Sequence, residues 1–214
     1  DGEQRGLVYV YRRNNDNWDL EQKLFASGGS SNANFGWSVA VEGDTLVVGA
    51  RRQNSGYGRV YIFTRSGTTW SEVQNFAPSG QPSDANFGNS VSISGNYLAV
   101  GAPGDSPGFV FIYTFNGSTW TYMQKLDVNG QNDAWFGGSV SISGNNLIVG
   151  ASQDDGGSAD IFSLEGGTWS HNETFTPSDI VTNDGFGQSV SIHGDTAVVG
   201  ASNGSAYVFG RCVD

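Results

Sequence analysis

Positive charge is scarce in this sequence of 214 residues. Ten lysines and arginines stand against 21 acidic residues, a formal charge of −11 at pH 7. Only Lys23 and Lys125 are lysines. Nucleic acid is held by clustered cationic side chains, so it is excluded as a partner. An anionic membrane surface would repel the chain for the same reason. No apolar run approaches the roughly 20 residues of a spanning helix, so membrane insertion is not expected. The sequence opens on Asp1 rather than on a leader, which reads as a processed product or an excerpt.

Reactive side chains are equally few. Cys212 is the single cysteine. It has no internal disulfide partner and is either a free thiol or a candidate for a bond to another chain. The two histidines, His171 and His193, fall at different strand positions of the repeat described below. Without cysteine partners they do not make a zinc site, and the expectation is that they are exposed. No Gly-Xaa-Ser-Xaa-Gly elbow with a histidine partner occurs. Glycine-rich stretches such as Gly101-Ala102-Pro103-Gly104 open no helix, so they are not phosphate cradles. The expectation is a protein without enzymatic activity, cofactor or metal.

Glycine, in contrast, is abundant at 32 residues, and aromatics reach 13%. Glycine, serine and asparagine alternate with valine, isoleucine, tyrosine and phenylalanine, the pattern of many short strands and tight turns. Three markers repeat. Phe-Gly occurs at 35–36, 87–88, 136–137 and 186–187, with spacings of 52, 49 and 50. Gly-Ala follows at 49–50, 101–102, 150–151 and 200–201 with the same spacings. Tryptophan recurs at Trp18, Trp70, Trp120 and Trp169.

Each repeat reads as four strands. The first follows Phe-Gly and alternates small polar with β-branched residues, as in Ser90-Val91-Ser92-Ile93. A turn with glycine first (Gly43, Gly95, Gly144, Gly194) suits a type II′ hairpin. The second strand is wholly apolar, as in Leu46-Val47-Val48, so both of its faces need cover. The third is aromatic and β-branched, as in Val60-Tyr61-Ile62-Phe63, and the fourth starts at the tryptophan and is more polar. Polarity rising from inner to outer strand is the gradient of a propeller blade. The predicted fold is therefore all-β: a propeller of four-stranded antiparallel blades occupying residues 1–214.

The run Phe-Gly, strand, Val-Val-Gly-Ala, then Gly-Xaa-Val-Tyr-Xaa-Phe resembles the FG-GAP repeat, which builds the integrin α-chain propeller and many secreted bacterial and algal proteins. The resemblance covers about Gly6 to Phe209. It implies a β-propeller in an extracellular setting. Calcium-binding copies of that family carry an Asp-rich loop between the Phe-Gly and Gly-Ala strands. Here that link is a tight turn such as Ser94-Gly95-Asn96, which cannot supply the six to eight oxygens that calcium takes, so no calcium site is carried over.

The strand pattern sums to 17, one more than a ring of four blades holds. Five blades, a segment of a larger ring, and a head-to-tail polymer of incomplete ends are alternatives. The expectation is a ring in which N- and C-terminal strands share the last blade, since an unpaired terminal strand leaves an exposed edge.

Candidate binding residues lie in the loops after Gly-Ala: Arg51 and Arg52, Asp105, and Asp154 with Asp155. These loops differ between copies while the strands do not, which suits a scaffold that presents different side chains on one face. Trp37 and Trp135 stand outside the tryptophan register and are candidates to stack on a sugar ring. Asp84 and Asp133 take the place of Asn32 and Asn183 before Phe-Gly, where bonds to local backbone form a turn. Asp160 interrupts an aromatic position. A buried carboxylate needs a partner, so an exposed edge is the expected place for it. Sequons at Asn116, Asn172 and Asn203 are glycosylation candidates. The function expected is an extracellular recognition or adhesion module that binds protein or carbohydrate through its loops. The alternative is a structural subunit of an extracellular filament or matrix, built by self-association.

Overall fold

A computed structural model describes residues 6–79, 84–104, 107–128, 135–153 and 156–210. They form 17 strands in five antiparallel sheets. The first sheet is the pair β1 (Val8–Asn14) and β2 (Asn17–Leu24). Next come three complete blades. One comprises β3 (Phe35–Glu42), β4 (Thr45–Ala50), β5 (Arg59–Ser66) and β6 (Thr69–Phe76). Another comprises β7 (Ser90–Ser94), β8 (Tyr97–Ala102), β9 (Phe109–Phe115) and β10 (Trp120–Leu126). The third comprises β11 (Ser139–Ser143), β12 (Asn146–Ala151), β13 (Ser158–Glu165) and β14 (Thr168–Phe175). The last sheet is β15 (Ser189–His193), β16 (Thr196–Gly200) and β17 (Ala206–Gly210).

The hairpin after each first strand follows the sequence expectation. Gly43 has φ of 56°, and Asp44 beside it is absent from the left-handed region, as a type II′ turn requires. The second strands β4, β8 and β12 are buried on both faces. Val47 packs against Val60, Val91, Val100 and Phe111, while Leu46 and Val48 pack with Phe35, Tyr61 and Trp70 towards Val8 and Val10. The second strand of a complete blade, such as β4, therefore serves two inter-blade cores at once. At about 25 cal/mol per Å² of apolar surface, this shared burial is the main force holding the blades together.

Backbone approach between blades is very close. A Cβ on Gly49 would lie 2.1 Å from the carbonyl oxygen of Gly88, and one on Gly101 2.0 Å from that of Gly137. Ser38 and Ser90 donate to those same carbonyls at 2.8 Å. At the outer edge, Gln22, Gln74 and Gln124 each bridge to the next blade. Each side-chain amide donates to the carbonyl of Trp70, Trp120 or Trp169 and accepts from the same residue's N–H. The bulges in the β1–β2, β5–β6 and β9–β10 pairs lie beside these glutamines, as between Val10 and Tyr11 or Ile62 and Phe63. A bulge re-aims side chains, here towards the neighbouring sheet.

The ring expectation is corrected. β1 pairs with β2 and β17 with β16, and the two terminal sheets stay separate. Both β1 and β17 are third strands of the repeat, so each fills the seat that the other would need in a shared blade.

Candidate binding face

The loops after each second strand and the turns before each Phe-Gly interlock. Arg52 N–H donates to Ala33 O, Asn86 N–H to Gly56 O, and Gly104 N–H to Ala85 O. The turn before Phe87 is thereby held between the loops of two successive blades. Gly58 and Phe87 form a parallel bridge at the same level, as do Gly6 with Phe35 and Gly157 with Phe186. The turns use left-handed backbone: Asn32 has φ of 63°, Asp84 of 70° and Asn183 of 73°. Asparagine and aspartate tolerate that region better than other non-glycine residues. Asp133 lies outside the described residues.

Between the turn at 28–34, the loop at 51–58 and the turn at 84–86 lies an open cleft of about 760 Å³. Its walls carry Arg52 and Asp84, of opposite charge, with Asn32, Asn54, Asn86 and Ser55. The buried Gln53 fixes one wall, accepting from Ser30 N–H and donating to Gly28 O. Charged, amide and hydroxyl groups on a backbone pinned at both ends can hydrogen-bond a polar ligand. Among the described residues no cluster of three histidine, cysteine or acidic groups is placed to hold a metal ion.

Arg51 and Trp37 form a second feature on this face. The Arg51 guanidinium lies 3.3 Å from the centroid of the half-exposed Trp37 ring. It also donates to Asn89 Oδ1 at 3.2 Å, and Asn89 donates to Gly138 O at 2.9 Å. Trp37, Asn89 and Gly138 follow Phe-Gly in successive blades, so the chain of contacts runs across three sheets. Burial and the neighbouring Arg52 lower the Arg51 pKa from its ordinary value. The cation occupies one face of the Trp37 indole. Trp135 is half-buried and adopts φ of 71°, where Asn34 and Asn86 stand in earlier copies.

Asp105, Asp154, Asp155 and Cys212 lie outside the described residues. Asn116 closes the turn before Trp120 by accepting from the N–H groups of Ser118 and Thr119. Asn172 is exposed on β14 and donates to Ser163, and Asn203 accepts from Ser205 N–H. His193 is exposed at the end of β15. Asp160 corrects the expectation of an exposed edge. It is fully buried, with His171 Nε2 at 2.9 Å, the Thr174 hydroxyl as a further donor, and Ser158 Oγ at 3.4 Å. His171 is correspondingly engaged rather than free. The glutamine bridges were missed in the sequence, although Gln22, Gln74 and Gln124 each stand four residues after a marker tryptophan.

A search of curated proteins found no match. Among solved structures the chain is similar to the computationally designed Ika4 protein. The TM-score is 0.56 and the identity 14%, over 86% of this chain and 94% of that one, which shows likeness of fold alone. The profile of the FG-GAP repeat, a repeat typical of extracellular or surface proteins, matches residues 18–63, 70–113, 120–162 and 169–209. With four matched copies spanning most of its length, the chain belongs to the FG-GAP repeat family.

Proposed function

We propose that this chain is a non-catalytic extracellular recognition or adhesion module that binds protein or glycan through the loop face. The observation that carries the reading is the cleft holding Arg52 and Asp84. Its walls join the loop after β4, which differs between copies, to the turns before Phe35 and Phe87. A scaffold whose frame is fixed by inter-blade cores can change its loops without cost to the fold. Arrays of extracellular glycans and matrix proteins, probed with the purified chain, test it. A selective ligand should lose about tenfold or more in affinity with Arg52→Gln or Asp84→Asn, as expected for a charge-assisted hydrogen bond. No selective ligand, or one indifferent to both variants, overturns the assignment.

A second reading is favoured by the two terminal sheets, whose apolar faces stand uncovered: a structural subunit of an extracellular assembly. Tyr9, Tyr11, Trp18, Val39 and Val41 are exposed at one end and Val198 and Val208 at the other.

A further inference from the structure

On that second reading, we propose that the occupant of these faces is a second copy of this chain, joined in the register of the internal blades. β15 and β16 of one copy supply the inner half of a blade, and β2 of the other supplies its outer strand. A single third strand, β1 or β17, sits between them.

The internal repeats specify the fit. Val41 is 64% exposed and Trp18 66%, whereas Trp70, one repeat on from Trp18, is 5% exposed. Val39 corresponds to Val91, which is buried against Val47 and Val60 of the preceding blade. Among the described residues the β1–β2 sheet has no inner strands, and none covers Val39 and Val41 in this way. Val198 holds the place of Val47 and is itself open. Each end thus exposes what the other lacks.

The backbone agrees. A Cβ on Gly150 would meet the carbonyl of Gly187 at 2.0 Å, but on Gly200 it meets only Ser189. Conversely, the closest neighbours of Gly88 include Gly49, while those of Gly36 include no such glycine. Gly200 of one copy and Gly36 of the other complete the pair. Polar steps repeat too. Gly95, Gly144 and Gly194 donate their N–H groups to Glu42, Ser94 and Ser143 of the preceding blade. Gly43 is left for His193. Ile142 and Ile192 donate to Ser92 and Ser141, which leaves Val41 for Ser191.

Charge favours two copies head to tail. Residues 1–65 hold eight basic and seven acidic side chains, whereas residues 66–214 hold two and fourteen. In the N-terminal hairpin Arg12, Arg13 and Lys23 are balanced by Asp16, Asp19 and Glu21, whereas residues 156–210 hold six acidic and no basic side chains, so head-to-tail contact sets a neutral hairpin, rather than a second acidic surface, against that end. Arg13 holds the place of Arg65, which binds Asp44 at 2.6 Å, and Asp195 holds the place of Asp44. Arg211, outside the described residues, holds that same place in the repeat, which is why β1 and β17 compete for one seat.

The test mixes two single-cysteine chains, His193→Cys and Asp44→Cys, both in a Cys212→Ser background, with a short bis-maleimide. Both positions are exposed, so neither change disturbs a core. A cross-linked pair of chains is expected on mixing, and none from either variant alone. Sedimentation should show the unmodified chain assembling as concentration rises, and Gly200→Ala, folded by circular dichroism, remaining a monomer. A link formed within a single chain that carries both His193→Cys and Asp44→Cys overturns the proposal, as does assembly by Gly200→Ala. Assembly of the unmodified chain without the link overturns this register and leaves the subunit reading standing. A monomer at every concentration overturns both.

Discussion

Asp160 shows how one side chain is placed by backbone irregularity. His171 and Thr174 are three residues apart on β14, and in a regular strand they would point to opposite faces. The bulge between Ile161 and Phe162 adds a residue on the β14 side, so both side chains turn to the same carboxylate. Asp160 is fully buried, and His171 Nε2 lies 2.9 Å from its Oδ1. His171→Ala leaves the carboxylate with the hydroxyls of Thr174 and Ser158. Denaturant unfolding of that variant should show a loss of about 2 kcal/mol. A loss below about 0.5 kcal/mol would mean that hydroxyls alone satisfy the carboxylate. This pairing could not be read in the sequence, because residue spacing does not reveal where a bulge falls.

Elements follow the sequence more faithfully, because a strand period fixes which side chains share a face. Phe-Gly, Gly-Ala and tryptophan keep one period, and each marker has a structural cause. Phe87 and Phe136 are fully buried between blades, Trp120 is nearly so, and the glycine of Gly-Ala lies against a backbone carbonyl of the next sheet. The loop cleft was less legible. Arg52 could be named from the variable loop, but its companions come from turns 20 and 32 residues away in sequence, at Asn32 and Asp84. Only blade stacking brings them together. The same stacking makes a sharp contrast between equivalent glycines. Gly101→Ala drives a methyl group into Gly137 O and cannot be relieved by rotating a side chain. Thermal unfolding should show it less stable by about 3 kcal/mol, while Gly200→Ala stays within about 1 kcal/mol. Equal effects would show that the blades can part without loss.

At the scale of the molecule, stability rests on cores shared between sheets, and ionisable groups caught in them tie that stability to pH. Tyr113 lies in the core between two blades with Phe76, Phe87 and Phe111 around it, and is 4% exposed. Burial first, and then the neighbouring Tyr122, hold its phenol protonated well above the ordinary pKa of 10.0. Burial likewise raises Tyr61, whose hydroxyl is enclosed without a partner. Below pH 10 both the folded and the unfolded chain keep these protons, and stability is fully present. Above it the unfolded chain loses them while the folded chain does not, so unfolding is favoured as pH rises. For Tyr113 the slope is about 1.4 kcal/mol per pH unit. Tyr113→Phe removes one of these contributions. Between pH 10 and 12 its stability should fall less steeply than that of the parent chain by about that amount, as measured by denaturant midpoints at each pH. Parallel curves for the two proteins would mean that Tyr113 ionises in the folded state and that the inter-blade core admits water.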